Sequence, residues 1–194
     1  SSSIMDTFND IFTLHEDPKK VKEGMVLISE PLGRDLFFKK SVILIVEHNS
    51  VGTVGFVLNK PFHLPIKELM DDFPNIENNV SLGGPVEPDT LHFLHTVGGK
   101  IGNAKEVIPG IYWGGDFSTI LGMLESNTFE DGQIQFFLGY SGWTSAQLDN
   151  ELEENSWVVT PNDAENSIIG QCCENFWKEK MIELGGDYLI WSNA

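Results

Sequence analysis

Residues 137–152 read FLGYSGWTSAQLDNEL, and this run constrains the fold more than any other part of the chain. The apolar stretch that enters it and ends at residue 140 predicts a β-strand. The Gly-Tyr-Ser-Gly sequence at 139–142 then predicts a tight turn. Thr144, with Gln147 three positions later, forms a capping box, which predicts the start of a helix. The run therefore predicts a strand, a tight turn and a capped helix in direct succession.

The rest of the chain alternates short apolar runs with short helical patterns. Strands are predicted at residues 24–29, 41–48, 53–61, 80–86, 89–96, 133–140 and 157–161. Helices are predicted over residues 66–73, from an N-cap at Asp116 to Asn127, and through residues 176–184. Apolar residues at helical spacing from Met5 to Phe12 predict one more helix, within an N-terminal extension over residues 1–23. Because the strands come early as neighbours, this order predicts a single α+β domain over residues 1–194 rather than a doubly wound sheet.

The charge distribution argues against nucleic acid as a direct partner. The formal net charge is −17, from 29 acidic against 12 basic side chains. Between Asp116 and Asp187 the only bases are Lys178 and Lys180, so this half would repel the phosphate backbone. The remaining candidate for direct DNA binding is therefore one local basic patch, formed by Arg34, Lys39 and Lys40.

The same sequence predicts a cytoplasmic protein. The adjacent cysteines at 172 and 173 cannot join distant segments, so they predict buried thiols. The first twenty residues carry several acids and lack a secretory signal pattern. The longest aliphatic run, from Val42 to Val46, is too short to cross a bilayer.

Ser141 raises the question of a hydrolase. A nucleophile elbow requires Gly-x-Ser-x-Gly, whereas here Gly142 follows Ser141 directly. As a nucleophile, Ser141 would need His95 or His48 as its base, with backbone N–H groups as oxyanion donors. The alternative is a tight turn in which Ser141 bonds to its own backbone and Trp143 enters the core. The pattern favours this structural role and keeps the hydrolase as an alternative.

Metal and cofactor sites are not predicted. His92 and His95 form His-x-x-His, but on a strand the two rings face opposite ways, and no cysteine or carboxylate stands at ligand spacing. The glycine pairs at 83–84, 98–99 and 114–115 lack the phosphate-binding spacings. Turn geometry accounts for these glycines, and no cofactor is expected.

Polar side chains gather near predicted strand ends, where binding sites often form. They are Glu47, His48, Asn59, Tyr140 and Gln147. If the strands end at one edge, these residues would line a small pocket together with Ser141 and His95.

Six motifs in order resemble the YqgE/AlgH family of bacterial proteins. They are GMVLISEPLGRDLFFKKSVILIVEHNSVGTVGFVLNKP, SLGGPV, LHFLH, GIYWGGDF, FLGYSGWTSAQLDNEL and WVV. The resemblance covers the chain from Gly24 to the C-terminal helix. One departure is Ala146, which stands where the family pattern has glycine before Gln147.

The resemblance implies a fold more clearly than a reaction. It implies an α+β domain with a mixed, bifurcated β-sheet and a small barrel-like part surrounded by helices. The family has no established enzyme activity and is labelled a transcriptional regulator through an association with alginate control. With no helix-turn-helix pattern and an acidic chain, we expect an indirect, non-catalytic role that depends on a protein partner.

Overall fold

The computed structural model describes residues 21–31, 36–74, 79–170 and 175–193. The predicted N-terminal helix lies outside the described residues, as do Arg34 and the two cysteines. Within the described ranges, no helix is long and apolar enough to cross a membrane.

Ten strands and four α-helices make up the regular structure of the described residues. The strands are β1 (Val26–Ser29), β2 (Val42–His48), β3 (Gly52–Val57), β4 (Pro61–Pro65), β5 (Asn79–Leu82), β6 (Val86–His95), β7 (Lys105–Ile108), β8 (Ile111–Trp113), β9 (Ile134–Thr144) and β10 (Trp157–Thr160). The helices are α1 (Ile66–Leu69), α2 (Phe117–Glu125), α3 (Ser145–Glu153) and α4 (Phe176–Leu184). Short 3-10 turns lie at Gly98–Lys100, Glu165–Ile168 and Gly186–Asn193. The predicted α+β class is confirmed.

All ten strands belong to one sheet that branches at β9. The main order is β10-β1-β2-β3-β9-β6-β8-β7, and the β4–β5 pair joins through β5. The C-terminal half of β9 pairs with β3, and its N-terminal half pairs in parallel with β5. On its other side β9 pairs with β6 from Ile134 to Tyr140. The predicted bifurcated sheet is therefore confirmed, with β9 as the strand that both branches share.

The sheet bends around one interior core without closing. This core takes buried side chains from both parts of the strand order, among them Val26, Val42 and Phe56 on one part and Leu94, Val107 and Ile111 on the other. Lys105 on β7 also lies 3.1 Å from Glu47 on β2, measured from Nζ to Oε1. Helix α4 and the C-terminal turn close the core with Trp177, Tyr188 and Trp191. The barrel-like part implied by the family resemblance is thus an open half-barrel.

The outer faces of the two branches have different covers. On the β1–β3 branch, Leu148 and Leu152 of α3 pack with Trp143 and Trp157. On the β5–β6 branch, helices α1 and α2 pack over Phe93 and Phe136 through Ile66, Ile120 and Leu124. Because α1 has only four residues, it covers much less of the sheet than α3, which has nine.

The predicted tight turn at 139–142 is wrong. Strand β9 continues to Thr144, and Ser141 and Trp143 pair with Gly55 and Thr53 of β3. The left-handed conformation of Gly139, with φ of +67°, accommodates an irregularity inside the strand and does not end it. The cap is confirmed, because the Thr144 hydroxyl accepts a hydrogen bond from the Gln147 N–H at 3.1 Å.

Two other predicted helices differ in detail. The helix predicted over 66–73 ends at Leu69, because Met70 is already extended, although Phe73 is buried as its spacing suggested. Asp116 stands at the N-cap position of α2, but its carboxylate accepts a hydrogen bond from Asn103 Nδ2 at 2.8 Å and makes no cap bond. Gly185, with φ of +66°, ends α4 as predicted.

Candidate functional site

Ser141 is a buried structural residue in this fold. Its side chain is fully inaccessible, and its Oγ donates a hydrogen bond to the Gly83 carbonyl at 3.0 Å. The bond therefore reaches Gly83, not the serine's own backbone as the turn alternative assumed. The hydroxyl proton points to a backbone acceptor, so the serine is not set up for deprotonation by an imidazole.

The two histidines considered as bases lie elsewhere. His95 pairs with Ile134 at the start of β9, roughly 20 Å along the strand from Ser141 at 3.3 Å per residue. His48 lies on β2, two strands from β9, and its Nδ1 is 2.7 Å from Thr53 Oγ1. The structure does not bring these three residues together, so the predicted hydrolase arrangement is absent among them.

His95 is buried among groups that favour its uncharged form. It is fully inaccessible, its ring stacks on Tyr112 with centroids 5.6 Å apart, and its Nε2 lies 2.9 Å from the Gly114 carbonyl. Burial lowers the pKa of His95, and the hydrogen bond to Gly114 opposes this shift only in part. Its Nδ1 has no hydrogen-bond partner among the described residues. The imidazole is therefore a core residue that favours the uncharged form.

Three other predicted pocket residues lie in separate parts of the fold. Asn59 is buried and binds the backbone at the start of β2: its Oδ1 accepts from Val42 N and its Nδ2 donates to Lys40 O, both at 2.9 Å. Glu47 forms the ion pair with Lys105 described above, and Gln147 is exposed on α3. These side chains do not converge on one pocket.

Tyr140 belongs to an aromatic cluster inside the half-barrel. Its ring is 5.8 Å from that of His92, and His92 in turn is 5.3 Å from Phe56, between ring centroids. Burial lowers the pKa of His92, while the carboxylate of Glu87 acts in the opposite direction. His92 and His95 contact different cores, as expected on a strand, and no metal-binding group of three ligands occurs among the described residues. His92 and Tyr140 are partly buried, and this cluster packs against the interior core at Phe56.

An apolar groove of about 640 Å³ opens beside the N-terminal half of β9. Its apolar lining comes from four elements: Ile66, Leu69 and Met70 at α1, Leu91 of β6, Phe117 of α2 and Leu138 of β9. Leu69 is 41% exposed, and Leu138 is only partly buried although β9 is the central strand. The short α1 leaves this part of the sheet uncovered, so the groove exposes side chains that a longer helix would bury.

One wall of the groove is an irregular segment of β6. Val86 pairs with Tyr140 and Leu91 pairs with Leu138, so residues 87–90 all lie opposite Gly139. A Cβ at Gly139 would come within 2.6 Å of the Gly84 carbonyl oxygen and 2.8 Å of that of Val86. The glycines of SLGGPV and FLGY are therefore required for the two strands to approach, and this contact fixes the wall in place.

The polar groups in the groove are few. Asp89 is exposed at its edge, and Thr90 Oγ1 donates to the Glu87 carbonyl at 2.7 Å. The sequence analysis missed this site because none of its apolar side chains carries a chemical motif. The signal that could have indicated it is the run Gly-Gly-Pro-Val-Glu-Pro-Asp at 83–89, which is unusual for a regular strand.

Comparison with known proteins finds close relatives along nearly the whole chain. A family model described as AlgH-like matches residues 26–189. A UPF0301 protein from Chlorobaculum parvum is 38% identical over 175 residues, which cover 90% of this chain and 92% of the relative. A UPF0301 protein from Parabacteroides distasonis is 36% identical over 190 residues, covering 97% and 96%.

Two solved structures are similar to this fold. A crystal structure of a Corynebacterium diphtheriae protein has a TM-score of 0.75 at 22% identity, covering 94% of this chain and 96% of that one. The solution structure of the AlgH protein from Pseudomonas aeruginosa has a TM-score of 0.70 at 24% identity, covering 92% and 97%. At these identities the similarity concerns the fold alone.

Proposed function

This protein belongs to the AlgH-like family, whose UPF0301 relatives are uncharacterised, and we propose that it is a non-catalytic interaction protein with a protein partner in the groove. The observation that carries the proposal is the exposed Leu69, with the partly exposed Met70 and Leu138, between walls built from a helix and a fixed strand segment. Apolar side chains of a partner contribute most binding free energy where they are buried in such a surface.

The chemistry of the groove supports binding over catalysis. Its apolar residues supply no nucleophile or base, and the Thr90 hydroxyl is already engaged with Glu87. Sites for small molecules bury most of the ligand and orient it with a few convergent polar groups, whereas this groove is open and its charged group, Asp89, stands at the exposed edge. A segment of a larger partner fits an open apolar surface better than an enclosed metabolite does.

A regulatory role would then be indirect and cytosolic. Lys39 is exposed, but the Lys40 ammonium lies over the Trp177 ring, 5.5 Å from its centroid. Against a net charge of −17, these two lysines supply little attraction for DNA. The family's regulator label is accommodated if the protein acts by binding another protein.

Affinity capture with a matched pair of variants tests the proposal. One bait carries Leu69→Ser and Met70→Ser in the groove. The control carries Ile182→Ser and Leu189→Ser, which are 49% and 46% exposed on the C-terminal elements. We expect the native protein and the control to retain the same partner from a lysate of the source cells. The groove variant should recover at least about tenfold less of that partner, because two apolar side chains that contact it are removed.

The decisive comparison is between the two variants. Recovery of equal amounts of every bound protein by both would overturn the proposal. Thermal unfolding checks that both baits are folded. Leu69, Ile182 and Leu189 are exposed and Met70 is partly buried, so each substitution should cost about 1 kcal/mol or less.

A further inference from the structure

Exposed acidic residues lie at the groove or next to it in the chain. Asp89 lines its edge, and Asp71 and Asp72 follow directly after Met70. All three carboxylates are exposed, and the described residues offer them no ion pair. We call Asp71, Asp72 and Asp89 the acidic rim.

One base, Lys67, stands on the short helix α1. Its ammonium donates to the Phe73 carbonyl at an Nζ to O distance of 3.5 Å, and it keeps its positive charge. Three acids against one base leave an excess of negative charge beside the apolar surface. Like charges held at a surface repel each other, and a cationic partner relieves that repulsion.

We propose that the occupant of the groove is a basic amphipathic helix of a partner protein, with apolar anchors on one face and Lys or Arg beside them. This inference rests on the proposed function and identifies the partner's chemistry. The apolar face would contact Leu69, Met70 and Leu138, while the basic residues would meet the acidic rim.

A helix suits the groove better than an added strand. Leu138 and Leu91 already pair with each other across β9 and β6, and β9 also pairs with β5. At the groove the backbone of β9 is paired on both sides, so the sheet presents side chains to a partner and not unpaired N–H and C=O groups of β9. Helix-in-groove recognition uses such side chains, with anchors at spacings of three and four residues.

The charge of the whole protein makes a matched control necessary. With a net charge of −17, any basic peptide is attracted to the surface as a whole. The rim variant carries Asp71→Asn, Asp72→Asn and Asp89→Asn. The control carries Asp149→Asn, Glu153→Gln and Glu154→Gln, which are exposed on and after α3, on the other branch of the sheet. Both variants lose the same number of charges.

The probe is a fluorescein-labelled synthetic helix of about 15 residues, with Leu at positions of helical spacing and Lys on its flanks. Fluorescence anisotropy measures its binding to the native protein, the rim variant, the control and the Leu69→Ser/Met70→Ser variant. A second peptide has the same composition in scrambled order, and a third replaces every Lys with Glu.

We expect the rim variant to lose about tenfold in affinity at low salt, because three charges that attract the basic peptide are removed. The remote control should stay within about twofold of the native protein. The Leu69→Ser/Met70→Ser variant should lose at least about tenfold, and the scrambled and Glu peptides should bind weakly.

Equal losses in the rim variant and the control would overturn the inference, because the attraction would then be general. Preference for the Glu peptide, or binding of oleate without binding of any peptide, would overturn it as well. If a captured cellular partner depends on Leu69 and Met70 but not on the rim, the inference fails and the proposed function stands. If neither the peptide nor any cellular protein depends on Leu69 and Met70, the proposed function itself fails.

Discussion

The two halves of β9 meet very different surroundings. In the C-terminal half, Trp143 is 5% exposed and packs against Phe38 and Trp157, with ring centroids 6.0 and 5.8 Å away. In the N-terminal half, Leu138 is paired on both sides but only partly buried. The strand is continuous, so the difference comes from the elements laid over it.

The covers explain the contrast. Helix α3 has nine residues and a capped start at Thr144, and it seals the face around Trp143. Helix α1 has four residues and no side-chain cap, and it leaves Leu138 in an open groove. A sheet face that a helix covers contributes to stability, whereas an apolar face left uncovered on a rigid strand is available for binding.

The largest expected effect separates these two halves directly. Trp143→Ala should lower the free energy of unfolding by about 3–5 kcal/mol, since it empties a buried aromatic site. Leu138→Ala should cost only about 1 kcal/mol, because the leucine is partly solvated already. Urea denaturation with unchanged slopes measures both. Equal losses would mean that the groove is closed in solution.

The next largest loss in free energy of unfolding, about 2–3 kcal/mol, is expected for Gly139→Ala. Alanine disfavours a φ of +67°, and its Cβ would clash with two carbonyl oxygens. Gly122→Ala is the control, since Gly122 lies inside α2 and nothing is within 4 Å of its Cβ position. There, alanine should stabilise by up to about 1 kcal/mol. Thermal unfolding of both variants compares them, and a harmless Gly139→Ala would contradict a fixed groove wall.

Ser141→Ala should lower the free energy of unfolding by about 1 kcal/mol, the usual contribution of one buried hydrogen bond. The loss is moderate because the Gly83 carbonyl still accepts from Val57 N at 2.9 Å. Ser118→Ala, at an exposed position of α2, serves as the comparison for chemical denaturation. A fluorophosphonate probe should leave native Ser141 unmodified, and labelling that disappears in Ser141→Ala would restore the hydrolase alternative.

The smallest effect concerns pH and is confined to mild acid. Burial lowers the pKa of His95 below its ordinary value of 6.5, so the unfolded chain binds more protons than the folded one below that pH. Stability should therefore be full above pH 6.5 and decline as the pH falls beneath it. His95→Gln should make this decline shallower below pH 6.5 than in the native protein, with the remainder including the contribution of His92. His63→Gln, at an exposed position of β4, should leave it unchanged.

Local patterns predicted much of the fold. The strand before Tyr140, the Thr144 cap, the end of α4 at Gly185 and the opposite faces of His92 and His95 all depend on near neighbours in the chain. They follow from side-chain periodicity and capping, and the structure confirms them.

Features that depend on distant partners were harder to predict. Gly-Tyr-Ser-Gly resembles a turn when read alone, but pairing with Gly55 and Thr53 keeps it extended. The groove arises where α1, β6, α2 and β9 meet, so no single stretch of sequence contains it. Two residues of the predicted pocket depend on such partners as well: Asn59 and Ser141 bond to backbone groups far away in the sequence.

The position of β9 in the chain also has a consequence for biosynthesis. This strand joins both branches of the sheet, yet it is made after its partners β3, β5 and β6. While the ribosome adds residues 96–133, the edges of β3, β5 and β6 that will later pair with β9 have no partner. We therefore expect the nascent chain to need protection from aggregation until residue 144 emerges, because unpaired strand edges associate readily with other chains.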